Sequence, residues 1–144
     1  MRKRNVLFLC TGNSARSQMA EAFLRKYGDD RFVAYSAGLE PKNINPYTVR
    51  VMEEVGLSLD GQYSKSLTEY MGQVRFGTMI TVCADADEKC PSVFPGMGQR
   101  MHWGFEDPAA FIGSEEETLV KFREVRDQID TRVREWLEEA SITE

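Results

Sequence analysis

Cysteine and histidine are scarce in this chain: three cysteines, Cys10, Cys83 and Cys90, and one histidine, His102, in 144 residues. A small, odd number of thiols argues against a disulfide scaffold and leaves buried thiols, a metal site or thiol chemistry. Long apolar runs are missing too. Nothing approaches the roughly 18 apolar residues of a membrane span. The apolar run after the basic MRKR start covers only about five residues, against roughly 7–15 for a secretory core. A cytoplasmic protein without a membrane partner is therefore expected. Basic excess is also lacking. A formal net charge of -5 argues against nucleic acid as the main partner. No repeat, low-complexity tract or linker interrupts the chain, so one domain over residues 1–144 is expected, and nothing demands more than a monomer.

What is present is a strand–helix alternation. Short runs of β-formers recur as VLFLC (6–10), RFVAYSA (31–37) and TMITVC (78–83), with a weaker QRMHWGF (99–105). Near-continuous apolar runs suit strands covered on both faces, as in a parallel sheet. Between them, Met19, Ala20, Phe23, Leu24 and Tyr27 share one helical face within residues 15–27. Residues 46–55 carry Asn45 as a cap, Pro46 at the first helical position and Gly56 after the last turn. A last helix should open at Ser114 with Glu117 completing a capping box, and bury Phe122, Val125, Ile129, Val133 and Trp136. The pattern predicts a three-layer α/β/α fold, whose ligand site lies at the carboxyl ends of the strands. Cys10 and Cys83 both stand at predicted carboxyl ends.

The stretch CTGNSARS (10–17) follows the first strand and opens the first helix. The small residues Thr11, Gly12, Asn13, Ser14 and Ala15 let the backbone curl so that N–H groups converge, and the helix adds its own unpaired amides and positive dipole end. This is a cradle for a tetrahedral oxyanion. Arg16 supplies a planar fork that grips two oxygens at once. The same field should lower the pKa of Cys10 at the floor of the cradle, with Ser17 donating to the thiolate. The bland alternative is an inert cysteine ending a strand before an ordinary helix start. A zinc site is the poorer alternative, because zinc favours cysteines about two to four residues apart and six residues separate Cys83 from Cys90. His102 reads better as a strand residue with a satisfied ring.

On CTGNSARS the chain resembles the low-molecular-weight protein tyrosine phosphatases and the arsenate reductases that share their fold, which implies a four-stranded parallel sheet flanked by helices. TVCADADEKCP (81–91) followed by HWGFEDPA (102–109) resembles, more narrowly, the thioredoxin-coupled arsenate reductases. Arsenate mimics phosphate, and thiols can supply the two electrons of its reduction by ending as a disulfide. The resemblance implies a relay: Cys10 attacks arsenic, Cys83 attacks Cys10, and Cys90 attacks Cys83, leaving a Cys83–Cys90 disulfide for thioredoxin. If 83–90 were regular helix, its end Cα atoms would lie about 10 Å apart, beyond the roughly 4.4–6.8 Å that a disulfide tolerates. The segment should therefore unwind on oxidation.

Asp107, in an Asp-Pro pair, is either a turn-former or the general acid that the resemblance implies. Glu106 reads as a bystander, and Trp103 and Phe105 as core rather than mouth. Ala109 and Ala110 stand where phosphatases usually carry aromatics that frame phosphotyrosine. Some thioredoxin-coupled reductases bind potassium through residues matching Asn13, Glu21 and Ser36 plus an aspartate. Here that aspartate's place is held by Lys65, so no potassium requirement is expected and Lys65 would hold Asn13 instead. No bound cofactor is implied; the partners implied are arsenate, phosphate or sulfate as competing oxyanions, and thioredoxin. Three rivals stand beside this reading: a phosphatase with protective cysteines, a glutaredoxin-coupled reductase, and a non-catalytic oxyanion or redox-sensing module.

Overall fold

A computed structural model describes residues 3–89 and 97–143. Four strands, β1 (Arg4–Cys10), β2 (Phe32–Gly38), β3 (Phe76–Thr81) and β4 (Met97–His102), form one parallel sheet in the order β2-β1-β3-β4. Val6, Leu7, Phe8 and Leu9 of the central β1 are fully buried in succession. That is what an apolar run without alternation predicts for a strand with both faces covered. The helices are α1 (Arg16–Gly28), α2 (Pro46–Glu54), α3 (Ala84–Lys89) and α4 (Glu115–Thr143), and the architecture is the expected three-layer α/β/α.

Local chemistry sets the helix ends as expected. Asn45 Oδ1 accepts from Tyr47 N–H ahead of Pro46. The α4 capping box is reciprocal: Glu117 N–H donates to Ser114 Oγ and Ser114 N–H donates to Glu117 Oε1, both at 3.1 Å. The stripe Phe122, Val125, Ile129, Val133 and Trp136 is buried. Trp103 is buried against Phe8 and Trp136, so it is core. Arg126 ties α4 to α2 by donating to Val51 O and Glu54 Oε1, each at 2.9 Å. Among the described residues, no helix is long and apolar enough to cross a membrane.

Two strand ends fall short of expectation. β3 stops at Thr81 and β4 at His102. Val82 and Cys83 lie between β3 and α3, and Ala86 N–H of that helix donates to the Cys83 sulfur at 3.4 Å, so the chain leaves the strand before the apolar run ends. All four carboxyl ends lie on one edge, with Cys10 paired to Gly38, Leu9 to Thr81 and Thr81 to His102.

Candidate active site

At that edge the chain leaves β1 through Cys10 and turns into α1 at Arg16. Asn13 adopts the left-handed conformation, φ 50°, which asparagine tolerates better than most residues. Each carbonyl along the turn is taken from outside. Leu39, Glu40, Lys42 and Asn45 N–H groups donate to the carbonyls of Cys10, Thr11, Gly12 and Ser14 at 2.8–3.2 Å. Gln18 and Ser64 side chains donate to Asn13 O. With carbonyls engaged outward, the amides at the start of α1 are left for the interior. Ala15 provides no side-chain cap there, so these N–H groups and the positive end of the helix are available to an anion. The close passage depends on Gly38: a Cβ there would lie 2.7 Å from Thr11 O and 3.0 Å from Asn13 N.

Cys10 is free and buried. Its sulfur receives Asn13 N–H at 3.0 Å and lies 2.8 Å from Ser17 Oγ. Asn13 Nδ2 donates to Ser17 Oγ, which leaves the Ser17 proton to point at sulfur. Behind this, Lys65 N–H donates to Asn13 Oδ1 at 3.0 Å, and the Lys65 ammonium lies 3.5 Å from the same oxygen and 2.6 Å from Tyr63 O. Lys65 is only 6 % exposed, and burial pushes its pKa down. Ser36 does not reach the loop: its hydroxyl donates to Glu21, which also pairs with Arg25.

The expected direction of the Cys10 pKa is reversed. Burial pushes the thiol up, and it outweighs the lowering effect of Ser17, the Asn13 and Ser17 amides and the Arg16 charge. Burial of the sulfur favours the neutral thiol even with these donors aimed at it.

The remaining residues line one cavity of about 640 Å³ with Cys10: Thr11, Gly12, Ser14, Ala15, Arg16, Cys83 and Asp107 among them. Arg16 Nη1 donates to Phe105 O at 3.0 Å, and Nη2 lies 3.7 Å from Asp107. Asp107 is also a turn-former, accepting from Ala109 N–H at 3.0 Å, and Ala109 lines the same cavity. Glu106 turns to Lys121 instead. Cys83 is free and buried, with Thr11 Oγ1 at 3.5 Å from its sulfur. Cys90 lies outside the described residues. The His102 ring is engaged with Thr81 Oγ1 at 2.8 Å. Among the described residues, no three of His, Cys, Asp and Glu gather as a metal site would need.

Sequence reasoning missed the opposite wall, Lys42 to Pro46. Its link to the loop runs through main-chain N–H groups, which no residue type announces. Strand order could have revealed it, since β2 neighbours β1 and its exit must pass Cys10.

A cysteine and an arginine share this anion cradle, with a second thiol in its wall, and known proteins share the arrangement's frame. The model of the "Low molecular weight phosphotyrosine protein phosphatase" family matches residues 5–144. The arsenate reductase of Bacillus subtilis (strain 168) is 42% identical over 139 residues, 96% of this chain and 98% of that protein. A solved arsenate reductase in the phosphate binding state superposes with a TM-score of 0.75 at 30% identity, over 94% of this chain and 98% of that one. The Corynebacterium glutamicum thioredoxin-dependent arsenate reductase gives 0.75 at 28% identity, over 99% of this chain and 64% of that one. The chain belongs to the low molecular weight phosphotyrosine protein phosphatase family, in the group of its bacterial arsenate reductases.

Proposed function

We propose that this protein reduces arsenate to arsenite through Cys10, Cys83 and Cys90, and that thioredoxin restores the thiols. One observation carries the reading. Two free, buried thiols, Cys10 and Cys83, line the same cavity as an arginine and the uncapped start of a helix. A phosphatase needs the first thiol but has no use for the second.

Arsenate binds to the Thr11–Ser17 cradle with Arg16 across two of its oxygens. The Cys10 thiolate bonds to arsenic, and one oxygen leaves as water, its proton supplied by Asp107. Cys83 then attacks the Cys10 sulfur. The S–As bond breaks, its electron pair stays on arsenic, arsenite departs, and a Cys10–Cys83 disulfide remains. Cys90 attacks the Cys83 sulfur, which releases Cys10 as thiolate and leaves Cys83–Cys90. A thioredoxin dithiol reduces that bond and is itself oxidised. Raised Cys10 acidity is not needed in the empty site: an oxyanion that brings its own proton acceptor can take up the thiol proton on binding.

The last exchange requires α3 to open, since this helix fills the chain between Cys83 and Cys90. Amide exchange of residues 84–89 should be faster in the oxidised than in the reduced protein; equal protection refutes the opening. Lys65 stands in for a bound cation behind Asn13, so turnover should not depend on potassium, and a steep rise with potassium counts against this role. Phosphate and sulfate should compete with arsenate. A reducing compartment, the cytoplasm, suits three thiols that must stay reduced between turnovers.

The deciding experiment measures arsenite formed from arsenate with thioredoxin, its reductase and NADPH, against glutathione with glutaredoxin. Sustained turnover with thioredoxin alone is expected. Preference for glutaredoxin would replace the three-thiol relay by a two-thiol one. Phosphate-ester hydrolysis without arsenite would leave a phosphatase.

A further inference from the structure

The protein carries a net charge of -5, yet its site must draw in an oxyanion. Such a field repels a dianion at long range unless a local cation at the entrance outweighs it. Arg16 is a poor candidate for that duty. It donates to Phe105 O and lies 3.7 Å from Asp107, so part of its charge is already answered inside the site.

Lys42 has the attributes that Arg16 lacks. It lines the cavity and is exposed. Among the described residues it has no carboxylate partner. Its place is fixed through the main chain: Lys42 N–H donates to Gly12 O at 2.8 Å. Its stem passes over the loop, with Cδ and Cγ at 3.8 and 3.9 Å from where a Gly12 Cβ would stand. An aliphatic stem pinned against the loop leaves an ammonium free at the mouth. The neighbouring carboxylate Glu40 is not among the residues of the cavity wall.

We infer that Lys42 is the recruiting cation of the site, which draws the dianionic oxyanion to the mouth and delivers it to Arg16 and the loop amides. The inference deepens the proposed arsenate reduction by assigning capture to one residue and grip to another. Lys42 contributes before the chemical step, through charge rather than through a fixed contact. Its removal therefore weakens binding and leaves the rate at saturation.

The test measures two readouts at about 20 mM and about 0.5 M ionic strength, since the Debye length shrinks severalfold across that range. The first is arsenate turnover. The second is protection of Cys10 from iodoacetamide by inorganic phosphate, followed by mass mapping of the Cys10 peptide, which requires no reduction. Lys42→Gln should lower kcat/KM roughly fivefold at low salt, with kcat changed less than about twofold, and should raise the protecting phosphate concentration by a similar factor. Lys42→Arg should restore both. Lys26→Gln, an equal charge change on an exposed face of α1, should alter neither. The deficit should shrink to under about twofold at high salt. A deficit unchanged by salt, a fall in kcat at constant KM, or wild-type behaviour of Lys42→Gln would each overturn the role. If the wild-type protein makes no arsenite while phosphate protection still tracks Lys42, the reduction reading fails and the recruiting role stands.

Discussion

The two described thiols are held in opposite ways. Cys10 sits in a turn whose carbonyls are taken by a neighbouring segment, over Asn13, Ser17 and Gln18, all fully buried and hydrogen-bonded. Cys83 stands just before a helix of six residues; among the described residues its sulfur is reached by Ala86 N–H at 3.4 Å and Thr11 Oγ1 at 3.5 Å, while Ala84 and Glu88 of the helix are exposed. Attack on an oxyanion profits from a fixed nucleophile and fixed donors. Passing a disulfide outward requires the opposite, a segment that opens at small cost. In the proposed relay, one edge of one sheet would supply both.

Several substitutions would break or sharpen that contrast. The largest effect belongs to the thiols. Cys10→Ser should abolish arsenite formation, by at least about a thousandfold. Cys83→Ser should still form the Cys10–arsenic adduct but release no arsenite from it; continued turnover would separate the second thiol from the chemistry. Next comes the fixed half. Gly38→Ala forces a Cβ to 2.7 Å from Thr11 O, so kcat/KM should fall by about a hundredfold with circular dichroism unchanged. Full activity would mean that the loop tolerates displacement.

A smaller effect concerns the proton on Cys10. Burial holds the empty-site thiol above its ordinary pKa, so alkylation should be slow at neutral pH and climb as pH rises past the ordinary thiol range. Ser17→Ala removes a lowering hydrogen bond and should move the inflection further up; a downward shift would contradict the geometry. The smallest effect lies away from the site. Glu54 is held down to about 2 by Arg123 and Arg126. A depressed carboxylate stabilises the fold above its ordinary pKa of about 4.5 and loses that contribution as pH falls toward 2. The stability gap between wild type and Glu54→Gln should therefore be constant near neutrality and close across that window in urea melts.

Much of this was legible because apolar runs and caps are local signals. Val6–Leu9, Asn45–Pro46 and Ser114–Glu117 each declare their element within a few residues. The end of β3 was misjudged because Val82 and Cys83 continue the apolar run while the backbone has already turned. The Cys10 acidity was misjudged for a different reason: donors can be counted in a sequence, but the depth at which the sulfur is buried cannot. Lys42 was invisible because its position follows from which strand lies beside which.

The stitching of residues 39–45 to the Cys10 turn has a consequence for how such a site can change. Those contacts use amide groups common to nearly every amino acid, so the floor of the cradle holds its shape whatever side chains line that wall. The entrance can then be recharged, narrowed or greased one substitution at a time, with the anion-gripping machinery below left undisturbed. A receptor assembled this way separates what it seizes from how firmly it seizes it.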